Sequence, residues 1–330
     1  MTSGTAPVSL AALQVGIQPR LDGVRQEIRR LIEADFPLIA QVNSHLTRMQ
    51  GKMFRPTLLL LAESATAPPA DQRGVSLAAV VELIHLATLV HDDAVDHSVL
   101  RRGMPTINAV YSHQVAVIMG DYLYSRAVIE LVRLADLEPL RVLSRVTNEM
   151  TVGEMRQLLA HDPLAFSEAD YDLLIRAKTA SLISGACEVG ALRGTPAERE
   201  GMRRFGECLG MAFQIVDDLL DFTGAEADTG KPWGHDLREQ KVTLPLIYAL
   251  PRMLPGQRAG VAALMANPEP AEAEIAPVVE AVTRCGGLEY ARERAQALCA
   301  RAEEELEVLA PSPARETLRA SLLYVLERRS

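Results

Sequence analysis

Cysteine is scarce in this 330-residue chain, and the four present, Cys187, Cys208, Cys285 and Cys299, lie far apart. None forms a CxxC pair, which excludes the common zinc-site spacings and a disulfide scaffold and points to a reducing, cytoplasmic compartment. Positive charge is in deficit too. There are 34 Lys and Arg against 43 Asp and Glu, a net charge of −9, whereas a general nucleic-acid binder needs a basic face. No basic residue precedes Arg20, so the N-terminus makes a poor secretion signal. The longest apolar run, Val75 to Val90, contains Glu82 and His85 and is read as too short to span a bilayer. No run of alternating β-branched residues marks a strand. No Ser/Gly-rich or charged linker and no fixed-period repeat divides the chain. Length alone suggests two domains, but the missing linker favours one. Residues 1–8 are expected to be disordered and 9–330 to form a single all-α domain.

What is present is helical periodicity. Apolar residues recur at three- and four-residue steps in "IRRLIEADFPLIAQVNSHL", "LAAVVELIHLATLV", "HQVAVIMGDYLYSRAVIELVRLA", "LLIRAKTASLISGACEVGALRG" and "MRRFGECLGMAFQIVDDLLDF". Several of these segments are apolar nearly all round, as expected of central helices surrounded by others. Short Pro- and Gly-containing breaks such as "TAPPADQRG" and "ADTGKPWGHD" separate them.

One segment breaks a local rule. In "LIHLATLVHDDAVDHSVLRRG" an apolar helix runs into Asp92, Asp93 and Asp96. Like charges at that spacing repel, and the negative end of the helix dipole adds to the cost. "FQIVDDLLDF" repeats the DDxxD spacing with Asp217, Asp218 and Asp221, and Gln214 lies on the same helical face. A lone DDxxD reads best as a solvated helix end. Two copies, each after an apolar helix, do not, because six converging carboxylates need cations to stay ionised. Oxygen ligands without Cys or a His set suit Mg²⁺, which keeps waters and bridges to phosphates. The pair of motifs therefore suggests a magnesium–diphosphate site. Complementary charge follows in Arg101 and Arg102, in Lys231 and Lys241, in Lys52 and Arg55 of "GKMFRP", and in Lys178 beside Thr179. Any one of these reads alone as a surface cation, but Lys178 stands in an otherwise apolar segment. His85 reads either as a satisfied core histidine or, since it shares the acidic motif's face, as a phosphate contact; the latter is preferred.

The ordered set "GKMFRP", "ELIHLATLVHDDAVDHSVLRRG", "GDYLYSRA", "GEMRQL", "KTASL", "FQIVDDLLD", "GKPWGHDL" and "KVTLP" resembles the trans-isoprenyl diphosphate synthases, particularly the long-chain bacterial polyprenyl type. The likeness runs from about Gly51 to Leu250. Three positions depart from the family pattern: Gln50 and Met53 in the first element, where the family usually has Gly-Gly-Lys-Arg, and Gln240 where Gly often precedes the lysine of "KVTLP". The resemblance implies an all-α bundle with a deep central cavity, assembled as a homodimer. It implies head-to-tail condensation of isopentenyl diphosphate with an allylic diphosphate, farnesyl or geranylgeranyl, giving a polyprenyl chain for quinone side chains, with transient membrane contact at product release. By the same resemblance Asp92 and Asp96 bind two Mg²⁺ ions and Asp217 a third. Asp93, Asp218, Asp221 and Asp236 act through water or by orienting neighbours. Lys52, Arg55, His85 and Arg102 hold isopentenyl diphosphate. Arg101, Lys178, Thr179, Gln214, Lys231 and Lys241 serve the allylic diphosphate, with Arg101, Lys178, Thr179 and Gln214 closest to the chemistry.

Product length is expected to depend on the helix before Asp92. Ala87 and Thr88 are small, with Ile84 about one turn, or about 5.4 Å, deeper. Such residues leave room for a chain of roughly C30 to C50, though the small pair serves equally well for close helix packing. The alternatives are a medium-chain synthase, a class I terpene cyclase and a regulatory synthase subunit. The isopentenyl-binding set speaks against the cyclase and the intact aspartates against the regulatory subunit.

Overall fold

The structure is a computed structural model, and it describes residues 8–49, 51–68, 71–101, 103–158, 163–223 and 234–328. Most of the segment expected to be disordered, and the candidates Arg102 and Lys231, lie outside the described residues; Val8, by contrast, packs against the core.

The helices are α1 Leu10–Gln14, α2 Gln18–Ile32, α3 Pro37–Arg48, α4 Phe54–Thr66, α5 Arg73–Val95, α6 Ile107–Val110, α7 His113–Arg133, α8 Leu137–Leu158, α9 Glu168–Ile175, α10 Ser181–Gly190, α11 Pro196–Thr223, α12 His235–Arg238, α13 Leu244–Ala249, α14 Pro255–Met265, α15 Glu272–Arg284, α16 Gly287–Glu305 and α17 Pro313–Glu327. Among the described residues the strands are two short segments, β1 Leu100–Arg101 and β2 Met104–Pro105, paired antiparallel. The all-α expectation holds.

Helices α4, α5, α10 and α11 form the centre. α10 packs on α4, α8 and α11, and α5 on α2, α4 and α7. Every residue of α10 is buried, which its small residues Ser184, Gly185 and Ala186 permit by letting neighbours approach from all sides. α5 is long and apolar enough to cross a membrane on length and composition, against the expectation of a run too short to do so. However, 78% of its apolar window is buried inside the protein, as for a central core helix. A second apolar cluster around Leu246, Val261, Ile275 and Val282 joins α13, α14 and α15 and meets the main core at Leu288.

Between α9 and α10 the chain forms one π-helical turn, Arg176–Ala180. Such bulges recur at functional sites because one extra residue per turn re-aims the side chains. Two glycines make room for it. A Cβ on Gly153 of α8 would lie 2.6 Å from the Ala177 methyl, and a Cβ on Gly210 of α11 would lie 2.6 Å from the Ala180 Cα. The bulge is thus clamped between two helices at distances only glycine allows.

Gly210→Ala is expected to destabilise the fold. Overpacking against backbone costs about 1–3 kcal/mol, more than the ~1 kcal/mol of helix propensity that alanine gains over glycine. Gly260, also helical, has nothing within 4 Å of its added Cβ, so Gly260→Ala should be neutral or stabilising. Denaturant midpoints of the two variants check the contrast, and a stabilised Gly210→Ala would contradict the clamp.

Candidate diphosphate and metal site

The first aspartate motif is the end of α5. Asp92 and Asp93 occupy its last turn and Asp96 its C-cap, with the Asp96 N–H donating to the Asp92 carbonyl at 2.8 Å. The chain then turns into the β1–β2 hairpin, which returns Arg101 against the helix. Arg101 Nε donates to Asp93 Oδ1 at 2.7 Å. Asp93 is buried, and burial outweighs the Arg101 charge to leave its carboxyl above the usual range. Asp92 is pushed up to about 6, first by burial, with Glu154 and Asp96 adding to the effect and Lys178 opposing it. The expected crowding of carboxylates is therefore felt in their proton affinity.

Lys178 reaches this group from the π turn. Its Nζ lies 2.6 Å from Glu154 Oε2 and donates to Gln157 Oε1 at 2.8 Å. Glu154 and Gln157 were not singled out from the sequence, although "GEMRQL" contains both. With Gly153 they form a continuous face of α8 turned to the π turn.

The second motif, on α11, divides its aspartates among different partners. Asp217 is exposed, and Oδ1 accepts from Arg328 NH2 at 2.9 Å. The Arg328 guanidinium also lies 3.8 Å over the Phe213 ring. Asp218 is buried and accepts on both oxygens, from Gln214 Nε2 at 2.8 Å and from the Tyr171 hydroxyl at 2.6 Å. Burial and the neighbouring Asp236 raise its carboxyl well above the ordinary range. Asp221 caps α12, accepting from the His235 and Asp236 N–H groups, each at 3.0 Å. Gln214 Oε1 accepts from the Thr179 hydroxyl at 2.8 Å, joining the second motif to the π turn. A lone tyrosine and a near-terminal arginine carried no signal in the sequence, so Tyr171 and Arg328 went unnoticed there.

Lys241 senses Asp96 of the first motif together with Asp236. Burial works against its charge, but Glu239, 2.6 Å away, and the charges of Asp96 and Asp236 hold its pKa above the usual lysine value. Lys52 and Arg55 flank Met53, the N-cap of α4. His85 is half-buried one to two turns before Asp92 on α5. Of the candidate length residues, Ile84 lines a small cavity with Tyr124, Ala127, Leu131, Leu143 and Thr147, between α5, α7 and α8. Ala87 is buried and Thr88 half-buried, and neither belongs to that cavity's wall.

Among the described residues no three His, Cys, Asp or Glu side chains already form a ligand cluster. The candidate donors are carboxylate oxygens from two helices, with raised proton affinity at Asp92. That suits Mg²⁺, which takes few protein oxygens and completes its shell with water and substrate phosphate, better than a metal needing a closed protein cage.

An all-α bundle with two aspartate-rich helices meeting at one π turn defines an isoprenoid-synthase architecture, and solved structures share it. A polyprenyl synthase from Caulobacter crescentus, complexed with calcium and isoprenyl diphosphate, superposes with a TM-score of 0.93 at 33% identity, covering 99% of this chain and 100% of that one. The octaprenyl diphosphate synthase of Escherichia coli is 37% identical over 90% of this chain and 92% of its own length. The all-trans-nonaprenyl-diphosphate synthase (geranyl-diphosphate specific) of Rhodobacter capsulatus is 40% identical over 89% and 90%. A polyprenyl synthetase family profile matches residues 36–282. The chain belongs to the polyprenyl synthetase family and is a prenyltransferase.

The raised Asp92 pKa sets a pH dependence. A carboxyl that holds its proton more tightly when folded stabilises the fold while protonated, and loses that contribution as pH rises from 3.8 to about 6. Without Mg²⁺, Asp92→Asn should flatten the fall in Tm over this window. Mg²⁺ competes with the proton, so its thermal stabilisation of the unaltered protein should grow as pH rises past about 6. Calorimetric melting with and without Mg²⁺ checks both, and a pH-independent Mg²⁺ effect would speak against the site.

Proposed function

We propose that this chain catalyses Mg²⁺-dependent head-to-tail condensation of isopentenyl diphosphate with an allylic diphosphate, farnesyl or geranylgeranyl, to give a long-chain all-trans polyprenyl diphosphate. The observation that carries this reading is that both aspartate motifs meet at one π turn, the first beside Lys178 and the second through Gln214, which bonds both Thr179 and Asp218. Lys178 acts on Asp92 while its neighbour Thr179 bonds to Gln214, and Lys241 feels Asp96 and Asp236 together. The names of the octaprenyl and nonaprenyl relatives support the long product.

In the reaction the allylic C–O bond breaks heterolytically and its electron pair leaves on diphosphate. The π electrons of isopentenyl diphosphate then form the new C–C bond, and a proton is lost to the released diphosphate. Asp92, Asp96 and Asp217 would hold up to three Mg²⁺ ions, and bound Mg²⁺ supplies charge neutralisation for the leaving diphosphate. Arg101, Lys178, Lys231 and Lys241 stabilise the same developing charge, and they do so most strongly where water is excluded. Asp93 orients Arg101; Asp218, Asp221 and Asp236 hold neighbouring groups. Thr179 presents its oxygen toward the electron-poor allylic carbon, and Gln214 holds it there. Lys52, Arg55, His85 and Arg102 hold the second diphosphate, with bidentate contacts available from the arginines.

The growing chain would run along α5 past Ile84, whose side chain borders a small void between α5, α7 and α8. A homodimer is supported by α7, which leaves Ile118, Ile129 and Val132 exposed. A cytoplasmic location accords with four free cysteines. The polyprenyl product serves quinone side chains and draws the protein into transient membrane contact at release.

Incubation with farnesyl diphosphate, isopentenyl diphosphate and Mg²⁺ should yield a homologous series ending at a long chain, read by liquid chromatography after dephosphorylation. Asp92→Ala should lose turnover by about 10²–10³-fold while melting normally. No condensation by the unaltered protein would sink the reading. Ile84→Phe should shorten the product without blocking the first condensation, and Ala87→Phe does the same if the pocket reaches one turn nearer the motif. An unchanged product from a folded, active Ile84→Phe protein would remove α5 from the length-setting wall.

A further inference from the structure

Tyr171 lies on α9, outside every motif named above, and is among the largest fully buried side chains. Its hydroxyl donates to Asp218 Oδ2 at 2.6 Å. The other oxygen of Asp218 accepts from Gln214 Nε2 at 2.8 Å, and Gln214 Oε1 accepts from Thr179 Oγ1 at 2.8 Å. Four side chains from three segments, α9, the π turn and α11, thus form one chain of hydrogen bonds with a definite direction. Both Asp218 oxygens accept in this arrangement, one from the phenol and one from the amide. Gln214 must therefore turn its NH₂ to Asp218 and its carbonyl to Thr179. Thr179 must then spend its only proton on Gln214, so its oxygen has only lone pairs left to offer. The direction is set at the Asp218 end, where the Tyr171 hydroxyl fixes the rotation of the carboxylate.

We propose that Tyr171 is a positioning residue for the allylic half of the reaction. By holding Asp218, it sets the orientation of Gln214 and leaves the Thr179 oxygen as a pure acceptor facing the electron-poor substrate carbon. This rests on the condensation reading above. Tyr171 touches no substrate; it acts through Asp218. Any rotation of Asp218 frees the Gln214 amide to flip, after which the NH₂ would face Thr179 and the threonine proton would turn toward the cleft. That proton would present a positive edge where positive charge develops.

Tyr171→Phe removes only the hydroxyl and keeps the ring in its buried setting. Kinetics with farnesyl and isopentenyl diphosphates should show kcat falling about 10–100-fold, the range seen when groups that orient a site's ligands are lost. The KM for isopentenyl diphosphate should stay within about 2-fold. Calorimetric binding of farnesyl diphosphate with Mg²⁺, without the second substrate, should weaken in the same variant. In an Asp218→Asn background, adding Tyr171→Phe should change neither quantity further, since residues acting as one unit are not additive. The proposal is overturned if Tyr171→Phe only lowers the melting temperature and keeps kcat and farnesyl diphosphate binding intact, or if its effect multiplies independently with Asp218→Asn. If the unaltered protein binds farnesyl diphosphate but makes no product, the condensation reading fails, and the binding cycle still judges whether Tyr171 works through Asp218.

Discussion

The ammonium group of Lys178 makes the carboxylate-rich end of α5 tenable. Asp92, Asp93 and Asp96 gather at the negative end of a helix dipole, with Asp93 buried and Glu154 close by. Burial raises the proton affinity of Asp92, and the Lys178 charge is the largest effect opposing it. That charge reaches α5 only because the chain bulges into a π turn at Arg176–Ala180, and the bulge fits only because Gly153 and Gly210 lack side chains. Backbone geometry, helix packing and electrostatics are therefore one requirement. A methyl group in the wrong place on α11 would move a cation on another segment.

Much of this was legible in the residues. The helical periods predict the all-α architecture, and the all-round apolar pattern of "LLIRAKTASLISGA" marks α10 as central. The two DDxxD groups announce themselves because they break a local rule twice at one spacing. What was not legible depends on contacts between segments far apart in the chain. Nothing in "RAKTA" announces a π turn, since the bulge is imposed by flanking helices and not by local propensity. Tyr171 reads as an ordinary core aromatic until its hydroxyl is seen against Asp218, 47 residues away. Arg328 is equally silent, because its partner Asp217 lies 111 residues earlier. The apolar run of α5 misled in one respect. Length and composition admit a membrane span, and only the surrounding helices settle its place as core.

Two of the departures from the family pattern share a backbone feature. Met53 and Gln240 both adopt the left-handed conformation, with φ of 59° and 53°, a strain of about 1–3 kcal/mol for a residue other than glycine. At Gln240 this explains why glycine is common there. The side chain offers compensation, since its Nε2 donates to the carbonyls of Arg238 and Asn267 at 2.6 and 3.0 Å. Those bonds tie the turn before Lys241 to the segment after α14. Met53 is buried, and its carbonyl accepts from the Thr57 hydroxyl at 2.7 Å, which anchors the turn that holds Lys52 and Arg55. In both places the strained residue directly precedes or separates candidate diphosphate cations. The backbone is fixed where a flexible lysine would otherwise wander.

The second motif shows why an aspartate-rich signature need not mean equivalent aspartates. Asp218 has both oxygens occupied by protein donors, and Asp221 spends both on the first turn of α12. In both, each oxygen already accepts a bond that organises something else. Asp217 is the exposed member, with Oδ1 engaged by Arg328. A cation arriving at Asp217 would share it with, or displace, a guanidinium that is itself stacked on Phe213. The motif therefore works as one exposed carboxylate followed by two structural ones: Asp218 orders the side chains toward the π turn, and Asp221 orders the chain toward Asp236 and Lys241. Identical chemistry at three positions is resolved into three tasks by what each helix face meets.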